Sequence, residues 1–271
     1  MNMIWRITMK KLLAALLALL MIGVACVSCS DKKENEDDWK DDLLLEDENS
    51  VDNETINGET FYFEAVDSET VSITGYQGSD VPHTLNIPTT LNGKTVVGVS
   101  AKAFYYCSKI NAINIPATVT TIGEKAFAGC ALVTELTIPA TVTTVGSKAF
   151  YGCTTLATLT FETGFAASIG ENAFAECTAL TSVTIPGTVK IIEAGAFFLC
   201  TALNTVTIVE GVEVIGTQAF QSCTALATLT LPASVTTNGS YAFEGCEDSL
   251  TTVTVPEGSA AKTYVDTYLK A

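Results

Sequence analysis

Five times along the chain a Leu opens a run in which apolar residues alternate with polar ones. These are LATLTF from Leu156, LTSVTI from Leu180, LNTVTI from Leu203, LATLTL from Leu226 and LTTVTV from Leu250. Leu159, Phe161, Val183, Ile185, Val206 and Ile208 fall on one side of this period-2 pattern, which predicts short strands with one buried face. Proline follows the strand at Pro88, Pro116, Pro139, Pro186, Pro232 and Pro256, where its missing N–H does least harm to a ladder. A second, shorter β stretch (VTTIG, VTTVG, VEVIG) leads into turns at Gly123, Gly146, Gly170 and Gly216. The AFxxC segment after each turn is expected to close the unit as a tight, partly helical corner.

The whole unit repeats. Ala-Phe precedes Cys107, Cys130, Cys153, Cys177, Cys200, Cys223 and Cys246, and successive cysteines stand 23, 23, 24, 23, 23 and 23 residues apart. That period falls within the roughly 20–29 residues of leucine-rich repeats, so each unit is expected to be one coil of a solenoid. One coil cannot bury its own Leu, Ile and Phe. Coils stacked about 4.8 Å apart bury each other's, which demands the same residue type at the same depth in every layer.

The signature IPxxVTxIGxxAFxxCxxL, clearest from Ile115 to Cys130 and from Ile138 to Cys153, resembles the BspA-like, or type-5, leucine-rich repeat. The resemblance implies a β-rich solenoid, a right-handed coil of about seven 23-residue repeats over 101–256. An N-terminal β cap with a first partial repeat is expected over 58–100, and a C-terminal cap over 257–271. In that last stretch a short helix would present Tyr264, Val265 and Leu269 to the final coil. Glu193 and Ser100 replace the turn glycine, Asn238 replaces an apolar residue, and Phe161-Glu162 replaces Ile-Pro, so local irregularity is expected there. BspA-like proteins are implicated in attachment to host matrix proteins and to other bacteria; the resemblance therefore implies a surface adhesion module without a cofactor.

Composition changes the picture mainly at the N-terminus. Lys10 and Lys11 precede the apolar run LLAALLALLMIGVACVS, which reads as a signal peptide over 1–28; a membrane anchor is the alternative. Cys29, at the head of SCSDKKENEDD, and Cys26, after GVA, both resemble the bacterial lipobox cysteine, and Cys29 is preferred because acidic residues follow it. An exported lipoprotein of a Gram-negative outer membrane or cell surface follows, held to the membrane by its N-terminal lipid. The acidic stretch 29–57 is expected to act as a self-repelling tether. A formal charge of −16, with no basic stripe, argues against nucleic-acid binding.

Candidate chemistry is sparse. Cysteines stacked in register sit near the ~4.8 Å layer spacing, too far for the ~3.8 Å between Cβ atoms that a disulfide prefers, and a ladder cannot converge its thiolates on a metal. They read as small buried hydrophobes. His83, the only histidine, reads as a surface residue of the cap, and no nucleotide-binding, P-loop or metalloprotease motif is present, so no enzyme and no metal site are expected. The surface left for binding is the solvent face of the main strands: Glu135, Thr137, Thr158, Thr160, Ser182, Thr184, Thr205, Thr207, Thr228 and Thr230. Thr also simply suits exposed strand positions and pairs with itself across strands. As a site, this flat hydroxyl lattice would serve a monomer adhering to an extracellular protein or glycan. Other readings are an uptake-system lipoprotein capturing glycan or peptide through Tyr105, Tyr106, Tyr151 and Phe198, an envelope spacer, or a lattice that orders water.

Overall fold

The computed structural model describes residues 52–269. The expected signal peptide, Cys26 and Cys29, and most of the acidic tether lie outside these residues. The chain forms a β-solenoid of about eight turns at 23-residue spacing.

The first described element overturns the tether boundary at 57. Strand β1 (Asp52–Ile56) pairs antiparallel with β2 (Glu59–Ala65) along its whole length, from Asp52↔Phe63 to Ile56↔Glu59. The acidic side chains there hid a strand in which Ile56 packs half-buried against the core. Strand β2 pairs in turn with β3 (Thr70–Gln77), and β3 runs parallel to the strand Lys94–Val99. The cap is therefore a three-stranded sheet that merges into the solenoid.

Each coil contributes to two parallel ladders. The narrow ladder climbs from Lys94–Val99 through Thr121–Ile122 and Thr144–Val145, is carried past Ile169 by single bridges, and continues through Ile191–Ile192, Val214–Ile215 and Thr237–Asn238. The main ladder holds Glu135–Ile138, Thr158–Phe161, Ser182–Ile185, Thr205–Ile208, Thr228–Thr230 and Thr252–Thr254. A separate two-stranded sheet, His83–Asn86 with Ile110–Asn114, lies at its N-terminal end. Helix α1 (Ala260–Tyr268) closes the last coil as expected, capped by Ser259 and burying Val265 and Ala261.

The corners are not helical. Each AFxxC segment is a chain of turns with two left-handed residues per coil, for example Lys102 and Tyr106, Lys125 and Gly129, Asn172 and Glu176. This conformation lets alternate backbone N–H groups reach the next coil. Lys102, Phe104 and Tyr106 donate to the carbonyls of Glu124, Ala126 and Ala128, while Ala103, Tyr105 and Cys107 close turns within their own coil. A continuous helix would have spent every N–H inside the coil and left the layers joined by side chains alone.

The core is a set of columns. Phe104, Phe127, Phe150, Phe174, Phe197, Phe220 and Phe243 stack with centroids 5.0–5.5 Å apart and nearly parallel planes. Tyr76 ends the column from the cap at 5.1 Å, and Tyr264 ends it from α1 at 6.3 Å. One column contains a polar intruder. Asn238 stands where the other coils place Ile122, Ile192 and Ile215, and its side-chain oxygen is buried without a hydrogen-bond partner. Replacing it should relieve an unpaired polar group, so Asn238→Ile is expected to raise stability by about 1–2 kcal/mol. A urea-unfolding midpoint unchanged or lowered in that variant would refute this account.

Candidate binding surface

The alternation of the main strands turns Glu135, Thr137, Thr158, Thr160, Ser182 and Thr184 fully outward, while Thr205, Thr207, Thr228 and Thr230 are half-buried on the same face. In-register parallel pairing sets Ser182, Thr205, Thr228 and Thr252 in one column and Thr184, Thr207, Thr230 and Thr254 in the next. Thr205 donates to Asn204 Oδ1 at 3.2 Å. The other hydroxyls of these two columns find no side-chain or backbone partner among the described residues, in contrast to threonines at the coil edges. There Thr120, Thr143 and Thr155 donate to backbone carbonyls of the preceding coil. Thr thus has two roles in this fold: a clamp between layers at the edges and a free hydroxyl on the face.

The face is not the single flat lattice expected from the sequence. It breaks twice. Between Thr158–Phe161 and Ser182–Ile185 only Thr158↔Ser182 pairs. The long, 24-residue repeat falls there, and its extra chain tucks Phe165 into the core against Phe161 at 4.8 Å. The second break lies between Ile110–Asn114 and Glu135–Ile138, which are neighbours in different sheets. It opens a cleft of about 260 Å³ lined by Ala112, Asn114, Glu135, Thr137 and Glu162. Asn114 donates to Asn86 across the neighbouring rung at 2.7 Å, and Glu162 accepts from the Ala140 N–H at 3.1 Å. The sequence signal for this cleft was the change from Thr-x-Thr to Ala112 and Asn114, which periodicity alone does not distinguish from ordinary variation.

The corner aromatics form packing, not a platform. Tyr105 and Tyr106 meet edge-on at 4.4 Å, both half-buried, and Tyr106 lies over Gly129, where an added Cβ would meet its ring at 2.4 Å. Tyr151 donates its hydroxyl to Glu176, and Phe198 is half-buried.

The cysteine column has an explanation that spacing did not reveal. Each thiol from Cys130 to Cys246 donates to the Phe carbonyl of the preceding coil, at 3.2–3.5 Å. Cys is small enough for the column and still carries a donor. Burial pushes the Cys153 and Cys200 thiols up to about 12, so they are neutral and poor nucleophiles. A thiol reagent at pH 8 should leave Cys130, Cys153, Cys177, Cys200, Cys223 and Cys246 unmodified until the protein is denatured; labelling of the native protein at the denatured rate would disprove it. Cys107 departs from the expectation. It stands in the first AFxxC segment, with no AFxxC coil before it, and it is disulfide-bonded rather than free.

His83 is also misjudged from sequence as a surface residue. Its side chain is only 15% exposed, and it sits between the cap and the first coil. The Tyr76 hydroxyl lies 2.7 Å from both Glu59 Oε1 and His83 Nε2, Nε2 lies 3.2 Å from Glu59, and His83 Nδ1 donates to the Val81 carbonyl at 2.9 Å. Burial first, and then the hydrogen bond to Glu59, raise the Tyr76 hydroxyl above its ordinary range. The cluster pins the cap to the Phe column and includes no Ser, Cys or Thr nucleophile. Its members are 7 and 17 residues apart in a non-repeating segment, so no pattern announced it. Among the described residues no group of His, Cys, Asp and Glu could hold a metal ion, and no helix is long and apolar enough to cross a membrane.

The family model for the BspA-type leucine-rich-repeat region matches in six copies, over residues 97–208 and 167–267. Those ranges cover more than half of the chain and coincide with the coils just described. The chain belongs to the BspA-type leucine-rich-repeat proteins. Solved structures agree. The leucine-rich-repeat protein of T. pallidum is 27% identical, with a TM-score of 0.65, covering 77% of this chain and 94% of its own. A leucine-rich cell surface protein from Faecalibacterium prausnitzii is 30% identical with a TM-score of 0.60, covering 76% of this chain and 55% of that one. A leucine-rich-repeat protein from Eubacterium ventriosum is 33% identical at a TM-score of 0.53, over 59% and 42% of the two chains. No curated protein matches. In this BspA-type chain the repeat unit accounts for the Thr face, the Phe column and the thiol column alike, since each is one repeat position read across the layers.

Proposed function

We propose that this protein is an exported, lipid-anchored surface module that adheres to extracellular proteins through the solvent face of its main ladder. The observation that carries the reading is the pair of in-register hydroxyl columns from Ser182 and Thr184 to Thr252 and Thr254, whose hydroxyls, apart from that of Thr205, have no partner among the described residues. Many weak, repeated donors and acceptors suit an extended partner better than a small ligand, which needs a concave, mostly apolar pocket that the Ser182–Thr254 columns do not form. The cleft at Glu135 and Glu162 adds the one strongly polar feature on that surface. The relative from F. prausnitzii is described as a cell surface protein, and the LLAALLALL run followed by Cys29 supports the same address here. The module is non-catalytic, needs no cofactor and acts as a monomer.

The test compares the full chain with a variant carrying Thr160→Lys, Thr184→Lys and Thr207→Lys. Exposed strand positions accept Lys, so the fold should survive while the face is blocked. Extracellular-matrix and mucin proteins retained by the wild type and lost by the variant would support the reading. Equal retention by both would place the contact elsewhere, and nothing retained by folded protein would end the adhesion proposal. The anchor is checked separately. Cys29→Ser should abolish incorporation of labelled fatty acid in the producing bacterium; incorporation that persists until Cys26→Ser is made would move the lipid to Cys26.

A further inference from the structure

We propose that the strand His83–Asn86 is a docking edge that accepts an extended, basic segment of a partner protein as an added strand. At the start of that strand and just past its end, the His83 and Ile87 N–H groups donate to the Lys109 and Asn114 carbonyls at 3.0 and 3.1 Å. Backbone polar groups alternate in direction along a strand, so those of Thr84 and Asn86 point the opposite way. Among the described residues no strand lies there, and the sheet ends with His83–Asn86 as one of its two members. The caps do not cover this edge. The cap strands β1, β2 and β3 extend the narrow ladder, and α1 packs against Thr237–Asn238 of that same ladder. The four-residue strand has neither Lys nor Pro within it, so nothing inside it blocks pairing, and its shortness limits an added strand to a few residues.

What lies beside it is a groove rather than open solvent. The turn between β1 and β2, with Asn57 and Gly58 at φ 53° and 85°, faces the strand across a space of about 340 Å³. Ile56, Ile87 and Pro88 supply apolar walls above the buried Phe61, and Glu59, whose Oε1 already accepts from Tyr76, lies among the lining residues. A strand added to Thr84 and Asn86 would turn alternate side chains toward Ile56 and Ile87, which asks for β-branched or aliphatic residues at every second position. Charge selects the remaining positions. From Asp52 to Pro88 the chain has seven carboxylates (Asp52, Glu54, Glu59, Glu64, Asp67, Glu69 and Asp80) and no Lys or Arg. The acidic stretch before Asp52 and a second copy of this cap carry the same sign and are repelled, whereas Lys or Arg beside the aliphatic positions is attracted. This edge is a second contact, separate from the Thr face, and it reads backbone geometry where that face offers hydroxyls.

The probe is a fluorescein-labelled peptide of sequence TVKVTVKT, titrated with the full chain and followed by anisotropy, alongside its counterpart with both Lys changed to Glu. Thr84→Pro removes one outward N–H and obstructs the edge while sparing the bonds to Ile110–Asn114. It is expected to weaken TVKVTVKT binding by about tenfold or more with its thermal midpoint unchanged, and the Glu peptide should bind at least tenfold more weakly than the Lys peptide. Should Thr84→Pro fail to fold, hydrogen exchange on the wild type decides: the Thr84 and Asn86 amides should exchange more slowly once the peptide is added. Binding indifferent to peptide charge, amides that exchange equally fast with and without peptide, or no binding at all would overturn the proposal. So would a concentration-dependent dimer of the chain alone that Thr84→Pro abolishes, because the edge would then belong to a second copy.

Discussion

Phe174→Ala is expected to lower the free energy of unfolding by about 3–5 kcal/mol. Phe174 is fully buried and stacks between Phe150 at 5.2 Å and Phe197 at 5.5 Å, with Phe161 meeting its edge at 6.2 Å. The loss of transfer free energy is therefore joined by a cavity that neighbouring coils cannot collapse, because their spacing is held by two backbone ladders and the corner bonds. Position sharpens the effect. Solenoid coils stabilise only their neighbours, and Phe174 lies in the long repeat itself, where the main ladder is already reduced to the pair Thr158↔Ser182. Removing the ring should also weaken the coupling between the two halves of the array. Urea unfolding followed by circular dichroism should show a lower midpoint and a broadened or two-step transition, with hydrogen exchange accelerated on both sides of Phe174. A loss below about 1 kcal/mol with a single sharp transition would mean that the aromatic column does not couple the coils.

Gly146→Ala should destabilise by about 1–3 kcal/mol, although it adds one methyl group. A Cβ there would meet the backbone N of Glu124 and the backbone C of Gly123, both at 2.7 Å, and neither can swing away as a side chain could. Gly152, six residues on, provides the contrast. Its φ is +67° and a Cβ would have open space, so Gly152→Ala should cost only the left-handed backbone strain of about 1 kcal/mol. Measured together by chemical unfolding, the two substitutions separate crowding between layers from local conformational strain. Equal small losses would show that the coils can move apart at the turn. The column admits Ser100 and Glu193 for local reasons. Ser100 faces the cap and hydrogen-bonds Ser72 at 2.8 Å, and Glu193 follows the long repeat, where the layers pair least.

Much of this molecule was legible in its repeats. The period of the cysteines set the coil length, the Thr alternation set which side chains face solvent, and Pro after most of the main strands marked where the ladder ends. Those inferences hold because every layer must satisfy the same steric requirement at the same depth, so each position is written many times over. The same redundancy misled at the corners. AFxxC has the composition of a helical turn, but its residues are chosen for N–H groups that alternate between the coil and its neighbour, including left-handed Lys125, Lys148 and Leu199.

The solenoid, its buried columns, the outward Thr positions and the closing helix could be read along the chain, because each rests on a periodicity that local geometry enforces. Long-range packing set what remained. It drew β1 out of the acidic segment, joined Glu59, Tyr76 and His83 into one part-buried cluster, opened the cleft beside Glu135, and left Thr84 and Asn86 on an edge that no other described strand pairs with. Each of these depends on which non-repeating segments meet when the array ends or changes step. Such contacts occur once in the chain, join residues distant in sequence, and so leave no period to read.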